Sequence, residues 1–276
     1  MTLTPKQWSF MNKYKYIFII LVYRHDNDLT DCLESIRQKV SSYKVVVVNS
    51  YYDDESMFAV KFVADKYNCD FLNIENHGYS YGNNRGIEYA IQKYNYDFIV
   101  VSNPDIIVKQ FDAALLSSGP DIIAPNIVAA NGRPQNPMYV RKPRLSEQIE
   151  YYGFKYKINA FVYMSVFISK WNRKFWTTLY RGKSTYRIYG AHGSFVIISK
   201  KAIEKIFPIY DENMFLFAEE MVLAAKAQKA GLLTCYNNDI KIYHKEDGSM
   251  KLSSLKMYDV LRASNLYYYE HYVLNC

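Results

Sequence analysis

The first hundred residues alternate between two hydrophobic patterns. Tyr16–Tyr23 (YIFIILVY) is a continuous apolar run rich in β-branched and aromatic residues, which predicts a strand buried on both faces. Leu29, Leu33, Ile36 and Val40 then recur at helical spacing behind the capping residues of Asp26–Asp28. The same alternation predicts strands at Lys44–Val48, Cys69–Ile74 and Asp97–Val101, with helices at Phe58–Tyr67 and Gly86–Lys93. Strands and helices in this order predict an α/β fold with a parallel, doubly wound sheet. Such sheets bind ligands at the carboxyl ends of their strands. The polar segments there are Arg24–Asp28, Asn49–Asp54, Asn76–Arg85 and Ser102–Asp105.

The second half is less regular. Asp121–Val128 and Phe195–Ile198 read as strands, and a Gly/Pro-bearing loop runs on to Pro143. Glu219–Ala230 reads as a helix stopped by Gly231, and Ile240–Tyr243 as a last strand before His244. Tyr151–Arg187 is aromatic and basic, with an apolar centre at Ile158–Ile168. Without a repeat, a low-complexity tract or a linker, 1–276 reads as a single domain. Its parts are a first half at about 14–108, a second at 109–250 and a helical tail at 251–276.

Composition narrows the classes. Of 276 residues 50% are hydrophobic and 22% charged, enough for a sizeable core and wrong for a disordered polyelectrolyte. Thirty-four Lys and Arg against 27 Asp and Glu leave +7, scattered along the chain. That pattern fits an anionic ligand or a membrane surface and argues against a nucleic-acid arm. No apolar run reaches the ~18–20 residues of a membrane span. Met1–Asn12 lacks the apolar core of a secretory signal. The four cysteines are far apart with no CxxC pair, which reads as reduced thiols. The expected location is therefore cytoplasmic, with peripheral binding to the inner face of the membrane as a further expectation.

Three polar segments carry candidate chemistry. Gly78, Gly82 and Gly86 fall four apart in Asn76–Ile87, with asparagines and Arg85 between them. The segment reads equally as a tight turn with capping asparagines or as a backbone cradle for a diphosphate. Ser102-Asn-Pro-Asp105 leaves a buried strand either as a simple turn or as an oxygen ligand for a hard divalent cation. Glu219 and Glu220 open a helix, where a carboxylate is electrostatically favoured and could also serve as a general base. His244 ends an apolar strand, as a polar residue leaving the core or as a metal or phosphate ligand.

Taken in order, these segments resemble glycosyltransferase family 2, inverting enzymes of the GT-A fold, and its rhamnosyltransferase-like members in particular. The resemblance runs from about Tyr16 to Ser249, weaker between Leu145 and Tyr189. It rests on the first strand, Asn76–Ile87, Asn103-Pro-Asp105, Gly190-Ala-His-Gly-Ser194, Tyr210-Asp-Glu-Asn213, Glu219-Glu220, and His244 with Gly248-Ser249. It implies a divalent metal, Mg²⁺ or Mn²⁺, held by Asp105 and His244, and a catalytic base at Glu220 with Glu219 as the fallback. Implied donor contacts are Tyr23, Asn49, Asp54, Gly78, Asn83, Asn84, Arg85 and Asn103; implied acceptor contacts are His192, Gly193 and Ser194. The implied reaction moves a sugar from dTDP-rhamnose or a UDP-hexose to a saccharide or lipid-linked saccharide, in bacterial O-antigen or capsular polysaccharide synthesis.

Three departures stand out. Asn49 replaces the acidic residue that normally follows the second strand, which leaves Asp53 or Asp54 for contact to the base. Asn103 replaces the first acid of the metal motif, and Glu220 is one methylene longer than the usual aspartate. These substitutions keep open a nucleotide-sugar-binding protein without catalysis. A nucleotidyltransferase is the other alternative, disfavoured because Arg24-His-Asp-Asn27 carries no glycine after the first strand. The aromatic and basic stretch 158–187 reads either as an interfacial membrane segment or as a core element with a solvated basic face.

Overall fold

The computed structural model describes residues 12–24, 27–112, 119–246 and 254–274. Asp26 and the Asp247–Ser249 stretch of the sequence reading lie outside them, as does the chain before Asn12. The first half builds β1 (Lys13–Val22), α1 (Asn27–Lys39), β2 (Tyr43–Ser50), α2 (Asp54–Lys66) and β3 (Asp70–Ile74), then α3 (Tyr79–Lys93) and β4 (Asn95–Ser102). The unbroken apolar runs are explained by alternation across two covered faces. Phe18, Ile20, Val45, Val47 and Val100 pack against Leu33 and Ile36 of α1 and Val60 of α2. Ile17, Ile19, Val46, Val48 and Ile99 point the other way, onto Ile87 and Ala90 of α3. Asp53 caps α2 by accepting from the Ser56 amide at 2.8 Å.

The remaining elements are β5 (Ile106–Phe111), β6 (Ile122–Ala129), α4 (Arg144–Lys155), α5 (Asn159–Leu179), β7 (Thr185–Arg187) and β8 (Phe195–Ser199). They continue with α6 (Lys200–Ile206), α7 (Glu219–Lys229), β9 (Thr234–His244) and α8 (Ser254–Tyr269), which runs into a π turn at Glu270–Leu274. Among the described residues one nine-stranded sheet runs β3-β2-β1-β4-β8-β6-β9-β5, with β7 on β9. The first four strands are parallel, as the sequence predicts. Beyond β4 the sheet is mixed: β8 is antiparallel to both neighbours, β9 runs parallel to β6 and β5 antiparallel to β9.

Two sequence expectations change. The glycine-bearing segment Asn76–Ile87 is mostly helix, since α3 begins at Tyr79 rather than at Gly86. Gly82 and Gly86 seat that helix on the sheet: a Cβ at Gly86 would lie 2.5 Å from Ile19 Cγ2, and one at Gly82 would lie 2.5 Å from Leu21 Cδ1. The last strand is longer than Ile240–Tyr243 and starts at Thr234, because its polar middle, Asn237-Asn-Asp239, hides the strand signal. The described part of the tail forms α8 and the π turn and is stapled to α4: Tyr268 donates to Glu147 at 2.9 Å and Tyr151 stacks on Tyr269 at 4.4 Å. Among the described residues no helix is long and apolar enough to cross a membrane.

Candidate active site

The candidate residues gather along the carboxyl ends of the central strands. Asp105 follows β4, and β5 pairs with β9 so that Ile106 stands opposite His244. The register brings His244 Nε2 to 3.2 Å from Asp105 Oδ1, both side chains nearly buried. The Gln135 amide nitrogen donates to Glu246 at 2.8 Å, which turns Gln135 Oε1 toward His244 Nδ1, also at 2.8 Å. With Nδ1 the donor there, Nε2 faces a carboxylate. The pair is satisfied by a second proton on the ring or by a cation shared between the two atoms.

Those residues fit the metal that the resemblance implies. Among the described residues no three His, Cys, Asp or Glu converge on one point. A hard divalent ion at a phosphate site needs only one or two protein ligands, with phosphate oxygens and water completing its shell. Asn103 adds no charge: its backbone N–H donates to Ser194 at 2.9 Å and its carbonyl accepts from the Ser102 hydroxyl at 3.0 Å.

The loop Gly190–Ser194 lies between this pair and the glutamates. Asn136 fixes it by accepting from the His192 amide at 2.8 Å. His192 Nδ1 turns inward to the Ser194 hydroxyl at 3.0 Å, and its ring lies 6.0 Å from that of His244. Burial depresses the His192 pKa, with Glu220 pulling it partly back. The Gly193 amide donates to Glu220 Oε1 at 3.2 Å, and a Cβ at Gly193 would stand 2.9 Å from that oxygen. Only glycine allows the carboxylate this close to the loop.

The two glutamates differ. Glu219 is 5% exposed, and its Oε1 lacks a hydrogen-bond partner among the described residues. Burial first, and then the neighbouring Glu220, push its pKa up to about 8. Glu220 is partly exposed and faces the loop. The turn before them carries two residues in the left-handed region, Phe217 (φ 72°) and Ala218 (φ 65°). Strain of this kind persists only where the surroundings hold it, and it aims the first turn of α7 at the loop. Tyr79 completes the wall by donating to the Gly193 carbonyl at 3.0 Å. Sequence reasoning missed Tyr79, which lies inside the Asn76–Ile87 segment, and Gln135, which lies in the Gly/Pro-bearing loop before Pro143.

The residues that the resemblance implies as donor contacts are more dispersed. Tyr23 and Tyr52 meet edge-on at the ends of β1 and β2, with the Arg24 guanidinium 4.1 Å from the Tyr52 ring. Arg24 holds φ at 73°, and its Nε is buried without a partner among the described residues. Asn49 is buried and donates to Asn73 at 2.7 Å; Asp54 accepts from the Tyr51 hydroxyl at 2.9 Å. Gly78 (φ 95°) lies tight against the Phe215 backbone. Asn83 and Asn84 are fully buried inside α3, where Asn83 donates to the Tyr79 carbonyl and Asn84 to the Tyr210 carbonyl. Arg85 is paired with Glu88 and Glu212. The segment read as either a tight turn or a diphosphate cradle is thus a packed helix, with the side-chain amides of Asn83 and Asn84 turned to protein carbonyls.

No family model matches the sequence, and no curated protein matches it significantly. Solved structures do. S. aureus TarS residues 1–349 in complex with UDP-GlcNAc superposes with a TM-score of 0.57 at 15% identity, covering 91% of this chain and 66% of that one. GalNAc-T7 with UDP, GalNAc and Mn²⁺ gives 0.56 at 11%, covering 84% of this chain and 44% of that one. The mannosyltransferase PcManGT from Pyrobaculum calidifontis, with GDP-Man and Mn²⁺, gives 0.52 at 14%, covering 88% and 63%. The chain thus spans from under half to about two thirds of the length of these neighbours. The fold they share with it is GT-A.

Proposed function

We propose that the chain is an inverting, nucleotide-sugar-dependent glycosyltransferase. The carrying observation is the run of close contacts from Glu220 through Gly193 and His192 to the His244–Asp105 pair, at the carboxyl ends of a GT-A sheet. Glu220 accepts the proton of an acceptor hydroxyl while that oxygen attacks the anomeric carbon from the face opposite the nucleotide. The bond to the diphosphate breaks with its electron pair, and no covalent enzyme intermediate forms. Burial favours the protonated form of Glu219, and Glu220, partly exposed and turned to the loop, is the member of the pair that an acceptor hydroxyl can reach. Asp105 and His244 would hold the metal, which when bound supplies positive charge against the departing diphosphate.

The group Tyr23, Arg24 and Tyr52 offers rings and a cation to the nucleoside end of the donor. Neighbours crystallised with UDP-GlcNAc and with GDP-Man support a nucleoside-diphosphate hexose. A UDP-hexose fits as well as the dTDP-rhamnose suggested by the sequence resemblance. The acceptor reading is a saccharide, lipid-linked, in O-antigen or capsule assembly on the cytoplasmic face of a bacterial membrane, within a single GT-A domain. One observation favours a second reading, a binder without catalysis: Asn49 and Asn103 stand where acids would, and the Asn49 side chain is spent on Asn73.

A donor panel decides between them. Nucleotide sugars should raise the melting temperature more with Mn²⁺ than with chelator, and nucleoside diphosphate should be released. Glu220→Gln should cut release by about 10²–10⁴-fold with donor binding kept. Thermal stabilisation without any release would leave the binder.

A further inference from the structure

We propose that α5 docks on an anionic lipid bilayer. It has 21 residues, about 32 Å of helix, and only Ser165 is buried. Tyr163 is 76% exposed, Phe167 and Trp171 68% each, and Phe175 56%. Their spacing of four places these rings along one winding side of the helix, where Lys170 and Lys174 are exposed beside them. Soluble surfaces rarely carry so much contiguous ring area.

Charge selects the occupant. From Tyr151 to Ile188 the sequence holds eight Lys and Arg and no Asp or Glu. A second copy of this face, or a basic partner, would meet like charge, whereas an anionic headgroup layer meets both rings and cations. The basic ground continues past the helix. Arg141 stacks over Trp176 at 4.0 Å, and a cavity of about 290 Å³ beside Tyr180 is lined by Arg141, Lys142 and Arg187. The helix is too polar to cross the bilayer, so it lies in the interface.

The opposite side of α5 is fixed to the candidate site. Arg173 donates to the Pro134 carbonyl, next to the Gln135 that holds His244. Ser169 lies within hydrogen-bond reach of the Tyr139 side chain, and the Tyr139 backbone pairs with Gly190 of the loop at 3.0 and 3.1 Å. Docking would therefore lay the loop edge of the site at headgroup level, a consequence that rests on the proposed function. The docking itself does not.

Sedimentation of the full chain with vesicles tests it. With about 30% phosphatidylglycerol in phosphatidylcholine at low salt the protein should pellet, and about 0.5 M salt should weaken binding at least tenfold. Combined Phe167→Ser, Trp171→Ser and Phe175→Ser should weaken it by about tenfold or more at unchanged melting temperature. Lys170→Glu with Lys174→Glu should remove the preference for anionic over neutral vesicles. Protein left in the supernatant at low salt overturns the proposal. So does a dimer that the serine variant dissolves while vesicles bind neither protein, because the face is then closed by a second copy. A failed glycosyltransferase assay alters neither result.

Discussion

The helices α3 and α5 belong to opposite halves of the chain and use their surfaces in opposite ways. Seven of the fifteen residues of α3 are buried, two of them glycines that let its backbone sink onto Ile19, Leu21 and Val48. Even its asparagines are consumed, since Asn84 ties the helix to the Tyr210 backbone in both directions. In α5 one residue of 21 is buried and the largest side chains point outward. The first half is thus held by packing on both faces of a parallel sheet. The other half carries a helix attached along one side, with its remaining surface uncommitted to the fold. Substitutions in the first region should register as stability, in the second as binding, and at the seam between them as turnover.

The seam gives the largest expected effect. Asp105→Ala removes the carboxylate facing His244 and should lower turnover by at least about 10²-fold. The strands around it stay packed, so circular dichroism should remain that of the wild type. Full activity in this variant, or in excess chelator, would sink the metal reading. Next comes Glu219. Its folded-state pKa lies near 8, above the 4.5 of an ordinary glutamate. Between those values the folded chain holds a proton that the unfolded chain has released, so this group's contribution to stability falls as pH rises. Glu219→Gln removes that dependence. Variant and wild type should melt alike below about pH 4.5, and the variant should gain on the order of 1–3 kcal/mol by pH 9. Equal melting at both ends would mean that Glu219 is not held protonated.

The sequence made the first half legible because two periods coincide there. Apolar runs of strand length, separated by helical spacing, have one economical solution, and β1 to β4 adopt it. The site was legible as an ordered set of motifs, and the fold brings Asp105 to His244 and Gly193 to Glu220 across long separations. The glycines of α3 were read as a turn or a cradle, and the helix they belong to was placed too late in the chain. Glycine signals close approach of backbone to something, and at Gly86 the neighbours are Ile19 and Val48. β5 was missed because its exposed end, Lys109 and Gln110, dilutes a six-residue signal. α4 and α5 could not be assigned by periodicity, since Phe and Trp on the outer side of α5 erase the contrast between its faces.

Two smaller effects separate the regions most directly. Gly86→Ala puts a methyl 2.5 Å from Ile19 Cγ2 and 2.8 Å from Val48 Cγ2, atoms of stiff β-branched side chains in the sheet core. Overpacking costs about 1–3 kcal/mol, and the gain in helix propensity returns up to about 1, so a net loss of about 1–2 kcal/mol is expected by chemical denaturation. Gly82→Ala meets only the end of Leu21, which can turn away, and should be near neutral.

The smallest expected shift is on α5. Trp171→Ser and Phe167→Ser each remove a large ring, the kind of truncation that costs about 3–5 kcal/mol in a core. Here the rings are two-thirds exposed, so little apolar area returns to water on unfolding. Each variant should lie within about 0.5 kcal/mol of wild type, a melting shift of about 1–2 °C. A loss of 2 kcal/mol or more in either would mean that the rings pack against the protein in solution. The contrast between the two helices would then collapse, and with it the reason for assigning the aromatic side of α5 to a partner.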